Sequence, residues 1–188
     1  MPGQKPTQTD LPLSWPTIDE VRSKAAAISY GSRLIENSYR GLVAEIIVAS
    51  ALGPEWKICS GGWSGWDLEH VGGCRIEVKQ SAARQTWAAP TKPSATTFSI
   101  AEKTGYYEDG IKWIPKAGRP AHIYVFAYHP IMDDGADHRD ASQWQFYVLA
   151  ANRLPATKSI PLTKLTTISE AMPWARLRHA VELARANL

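Results

Sequence analysis

The sequence predicts an α/β (α+β) fold in which a mixed β-sheet is flanked by helices. Three observations point there. Two helical stretches come first, one opened by the capping box Thr17-Ile18-Asp19-Glu20 and one closed by Gly53-Pro54. Strand-like runs then flank Gly72-Gly73, a dipeptide that reads as a hairpin turn. Further on, residues 121–128 are apolar or aromatic on both faces, as a central strand should be.

The first helix is expected from Thr17 to about Tyr30 and the second from a cap at Asn37 or Ser38 to about Leu52. Residues 1–16 are polar and punctuated by proline, which predicts a flexible N-terminal tail ahead of a single domain over 17–188. Residues 56–59 read as a short strand and 60–65 as a flexible Gly-rich loop. Residues 88–120 carry a poor pattern, broken by Pro90 and Pro93, with a strand at 97–100 and a turn-rich stretch at 104–113. An insertion of that length predicts a wall or lid over a groove. Residues 143–149 read as a further strand with Trp144, Phe146 and Val148 on one face. Residues 157–168 form a connector with a short strand near Ile160. Pro173 opens a last helix whose apolar stripe is Trp174, Leu177, Val181 and Ala184.

At 188 residues, with 44% hydrophobic and 21% charged residues, the chain is long enough for a core of ordinary composition. A net charge of +3 permits a polyanionic partner without demanding one. Cys59 and Cys74 lack metal-ligand spacing and read as free thiols. With no apolar run of membrane-spanning length and no secretory signal, a cytoplasmic protein without a membrane partner is expected. The five histidines show no helical ligand spacing, and the sequence has no phosphate-cradling Gly-rich loop, no GxSxG elbow and no repeat. Asp133, Asp134, Asp137 and His138 read as a solvated loop rather than a cation site.

The chemistry concentrates between Asp67 and Lys79. Side chains alternate along a strand, so Glu77 and Lys79 share one face while Ile76 and Val78 point to the other. Asp67 can meet them from the neighbouring strand. Two convergent carboxylates beside a lysine suit a hard divalent cation such as Mg²⁺, and the lysine can orient a water next to it. Glu45 is the one charge between Arg40 and Glu55. It shares a helical face with Gly41, Leu42, Val48, Ala49 and Leu52, and a carboxylate on an apolar face is costly unless paired, protonated or metal-bound.

The residues Asp67 and Glu77-Val78-Lys79 resemble the signature of the PD-(D/E)XK nuclease superfamily, with Trp66 where that family often has proline. The order helix, strand, strand, strand also resembles the first part of the family's αβββαβ restriction-endonuclease-like core. The run from Glu77 to Trp87 resembles a group of uncharacterised bacterial nuclease-like proteins. The resemblance implies a metal-dependent endonuclease that hydrolyses phosphodiester bonds in DNA, with RNA left open as substrate. Asp67 and Glu77 would hold Mg²⁺, or Mn²⁺ in its place, helped by the Val78 carbonyl and by Glu45 through water or a second ion. Lys79 would position the attacking water. The family's second core helix should fall between Lys79 and the next strand, where the sequence shows none. Gln80, Ser81, Arg84 and Gln85 are candidate contacts to phosphates or base edges, and Trp87 a stacking platform. Cutting both strands of a duplex with one site per chain favours a homodimer. Two other readings stand beside this one: a non-catalytic nucleic-acid-binding or structural module of the same fold, and an unrelated α+β protein in which Glu77 and Lys79 form a surface ion pair.

Overall fold

Helix α1 (Ile18–Tyr30) begins as its sequence dictates. Glu20 N–H donates to Thr17 Oγ1 at 3.2 Å, and the Glu20 carboxylate accepts from Thr17 N–H at 2.8 Å. This reciprocal cap satisfies two backbone donors that a helix start leaves unpaired. The computed structural model describes residues 15–59, 64–87, 95–108 and 111–188. The chain divides after Ser32 into two compact units, whereas composition alone places a boundary after Pro16. The expected tail up to Ser14, most of the Gly-rich loop, and Pro90 and Pro93 lie outside the described residues.

Helix α2 (Asn37–Leu52) opens the second unit. Its cap is Glu36, with no side-chain hydrogen bond, not the expected Asn37 or Ser38. The Asn37 amide is used elsewhere: its Oδ1 accepts from Arg40 at 2.9 Å and from Gln80 at 3.1 Å. Gly53, at φ 98°, ends the helix. The strands β1 (Trp56–Ile58), β2 (Leu68–His70) and β3 (Arg75–Ala82) follow as an antiparallel meander. Gly73 takes φ 82° in the β2–β3 turn, where a side chain would be strained.

The crossover out of β3 contains β4 (Thr97–Ser99), β5 (Tyr106–Glu108) and β6 (Lys112–Ile114), and among the described residues no helix. It returns as β7 (Ile123–His129), parallel to β3, with β8 (Gln145–Ala150) antiparallel beside it. The resulting five-stranded mixed sheet has the order β1-β2-β3-β7-β8. β9 (Ser159–Pro161) pairs with β4, setting Phe98 against Ile160, and the short α3 (Leu162–Leu165) and α4 (Trp174–Ala186) finish the chain. The protein therefore has an α+β fold built on a mixed sheet.

Both faces of the sheet are covered. Ile76, Val78, Ile123, Val125 and Phe146 pack under α2 and α4 against Val48, Leu52, Leu177 and Val181. On the opposite face Tyr124, Phe126 and Leu149 meet Phe98, Ile160 and Leu165. β7 is thus apolar on both sides, as its composition requires. Glu77 and Lys79 stand opposite Tyr124 and Phe126 in the parallel register, so they belong to the second face, the one the crossover covers. Among the described residues no helix is long and apolar enough to cross a membrane.

The loop after β7 departs from the solvated expectation at Ala136 and His138, which are buried. His138 is fully buried, its Nδ1 accepts from Ile35 N–H at 3.0 Å, and its ring lies 4.9 Å from that of buried His129. Burial, and then the nearby Arg40 and His129, press the His138 pKa down to about 4. The unfolded chain therefore takes up a proton near pH 6.5 that the folded site refuses. Stability should fall by roughly 3 kcal/mol as pH drops from about 6.5 to about 4. Urea unfolding across that window checks this: His138→Asn, which keeps an acceptor for Ile35, should show a clearly shallower pH slope than the wild type.

Candidate functional site

The segment that carries Asp67 is held by close packing. Gly65 approaches Tyr106 so nearly that an added Cβ would lie 2.7 Å from the tyrosine Cβ, which leaves glycine as the residue that fits. The next residue, Trp66, is buried with the Arg75 guanidinium 3.6 Å above its ring and its Nε1 donating to Glu69 at 3.2 Å. Asp67 itself lies one residue ahead of β2 rather than on the strand.

The β2–β3 pairing covers Leu68 with Ile76 and Glu69 with Arg75, and the last contact is Asp67 N–H to the Ile76 carbonyl at 2.9 Å. Past that point β3 has no strand partner on the β2 side, while β7 continues beside it on the other. The Val78 N–H then donates to Asp67 Oδ2 at 2.7 Å, so a side-chain carboxylate takes the place of a ladder acceptor. In a strand the N–H and C=O of one residue point to the same edge, so the Val78 carbonyl also faces the Asp67 side.

Glu77 is 5% exposed and makes two ion pairs. Lys79 Nζ donates to Glu77 Oε1 at 2.6 Å, while Lys103 Nζ lies 3.4 Å from both carboxylate oxygens and donates to the Gly65 carbonyl at 2.9 Å. Glu45, on α2, keeps its Oε2 out of solvent contact, and its charge acts on Asp67. Burial first, and then the charges of Glu77 and Glu45, push the Asp67 carboxyl up to about 7. The Val78 N–H and Lys79 work against that rise. Three carboxylates and two ammonium groups thus form one electrostatic cluster.

Compared with known protein families and with curated proteins, the chain matches none.

The cluster's donors are hard oxygens, the type that Mg²⁺ or Mn²⁺ takes, and the Asp67 carboxyl is raised by burial first and by the Glu77 and Glu45 charges second. The side chains as they stand are not a ready ligand set: among the described residues no group of three or more His, Cys, Asp or Glu is placed to hold a metal ion.

The residues that follow Lys79 divide in two. Arg40 is 1% exposed and donates to Gln80 at 2.6 Å and to Gln85 at 2.8 Å, while Gln85 also donates to the Ala82 carbonyl at 2.8 Å. Both amides therefore tie α2 to the end of β3, and Ser81 is buried as well. Arg84 pairs with Asp134 at 2.9 Å and donates to the Asp133 carbonyl. Trp87 is 66% exposed. An open cleft of about 410 Å³ runs beside the cluster, lined by Asn37, Val78, Lys79, Gln80, Trp87 and Ser99 among others.

Sequence reasoning missed Arg40 and Lys103. Arg40 sits on α2 among apolar residues, where a buried arginine gives no periodic signal. Lys103 lies in the unpatterned crossover, where an isolated bridge pairs it with Gly118. The cluster's crowding of like charge has a measurable consequence. At pH 8 in the presence of a chelator, Asp67→Asn should keep the Val78 hydrogen bond and stabilise the fold by about 2 kcal/mol, read as a raised denaturation midpoint.

Proposed function

We propose that this protein is a metal-dependent endonuclease that hydrolyses phosphodiester bonds in DNA. The observation that carries the reading is the cluster itself, in which the Asp67 carboxyl is driven up by burial and then by Glu77 and Glu45, beside a lysine on the same strand as Glu77. Perturbed carboxylates of this kind are the mark of sites that bind cations or do chemistry. The order α2, β1, β2, β3, with β7 returning parallel to β3, is in keeping with the restriction-endonuclease-like core that the sequence resembles. The cleft from Lys79 to the exposed Trp87 and the net charge of +3 support a polyanionic substrate.

Asp67, Glu77, the Val78 carbonyl and Glu45 would hold the cation. When bound, a divalent cation supplies Lewis-acid polarisation of a phosphoryl oxygen and a water more easily deprotonated. The chain's own work is positioning. Asp67 is fixed by the Val78 N–H, and Glu77 is fixed by burial in the sheet. Lys79 orients the attacking water in line with the scissile bond and sets its ammonium against the charge that develops on the phosphate. The free thiols of Cys59 and Cys74 support a reducing, cytoplasmic setting, and duplex cleavage supports a pair of chains acting together.

A second reading, a non-catalytic nucleic-acid-binding module of the same fold, draws on the Lys79–Glu77 pair, since a lysine held at 2.6 Å has its charge already matched. Plasmid nicking separates the two. The endonuclease reading expects Mg²⁺-dependent nicking that a chelator stops. Lys79→Ala should slow nicking by roughly a thousandfold or more while Mn²⁺ binding survives. Equal cutting in a chelator, or by Lys79→Ala, contradicts the reading.

A further inference from the structure

Lys103 is the least expected member of the cluster, and its geometry separates it from Lys79. Lys79 makes a short, directed bond to one oxygen of Glu77, 2.6 Å from Oε1. Lys103 is 3.4 Å from both oxygens, outside the usual length of a charge-assisted hydrogen bond, and its better bond is the 2.9 Å contact to the Gly65 carbonyl. It stands across the carboxylate, where a cation shared by both oxygens would stand. Its side chain is 38% exposed against 6% for Glu77. Of the two ammonium groups it is the one that can withdraw to water at small cost.

We propose that Lys103 is an internal counter-ion that competes with the divalent cation for Glu77 and so sets the metal affinity of the site. The proposal rests on the metal-site reading given above. The Glu77 carboxylate is nearly closed to solvent, so a cation reaches it by taking over a place held by an ammonium group. Lys103 holds Glu77 loosely and is tethered to Gly65, two residues before Asp67. Lys103 keeps Glu77 neutralised until the cation displaces it. Lys103 acts through Glu77 and is a positioning residue.

The test is Mn²⁺ binding to the full chain, followed by titration calorimetry or by the loss of the free-ion EPR signal, without nucleic acid. Lys103→Met removes the competing charge and keeps the length of the side chain, so Mn²⁺ should bind about tenfold more tightly than to wild type. Lys103→Arg, which keeps the charge, should restore an affinity near wild type. Glu77→Gln should lose binding in either background. If wild type binds Mn²⁺ through Glu77 but Lys103→Met binds no more tightly, the counter-ion proposal falls and the metal site stands. If neither wild type nor Lys103→Met binds Mn²⁺, the metal site falls and the proposal falls with it.

Discussion

The hydrogen bond from Val78 N–H to the Asp67 carboxylate is the constraint on which the site depends. It forms where β2 parts from β3, so a strand interior that would otherwise carry an unpaired donor is completed by a charged side chain. That one contact fixes Asp67 against β3. It also holds Asp67 within electrostatic reach of Glu77 and Glu45, on the edge that the Val78 carbonyl faces. Trp66 and Gly65, packed on Arg75 and Tyr106, prevent the segment from relaxing away.

Burying charge in this way is costly, and the fold answers in two different ways at neighbouring positions. At Arg40 the answer is a set of neutral acceptors: Gln80, Gln85, Asn37 and the Ile35 carbonyl accept from the guanidinium, and the network joins α2 to the end of β3. A hydrogen-bonded network of this kind specifies structure. At Asp67 the answer is incomplete. Its carboxyl remains high because it is buried and because Glu77 and Glu45 sit beside it, with the Val78 N–H and Lys79 only partly offsetting them.

Much of the fold was legible in the sequence, for identifiable reasons. Helical and strand periodicities, the capping box at Thr17, Gly73 in the hairpin and the doubly apolar 123–129 run each follow from local chemistry. The alternation that puts Glu77 and Lys79 on one face is fixed by strand geometry. The Glu36 cap of α2 was not legible, because Asn37 and Ser38 are better intrinsic caps and Asn37 is diverted by tertiary contacts to Arg40 and Gln80. Burial of His138 escaped for the same kind of reason, since its loop reads as polar while Ile35 and Trp144 enclose it from distant positions. Gln80 and Gln85 read as surface contacts for nucleic acid, and only the long-range partner Arg40 shows where their hydrogen bonds go. Lys103 belongs to a segment with no periodicity, so its place beside Glu77 is a property of the crossover and of no local pattern.

The claim at the centre of this account is that Asp67 and Glu77 share one divalent cation. Anomalous diffraction from crystals soaked in Mn²⁺ tests it most directly. The account predicts a peak within bonding distance of both carboxylates, near the Val78 carbonyl, with Glu77 drawn away from Lys103. Mn²⁺ bound elsewhere, with Glu77 still held by both lysines, would contradict it.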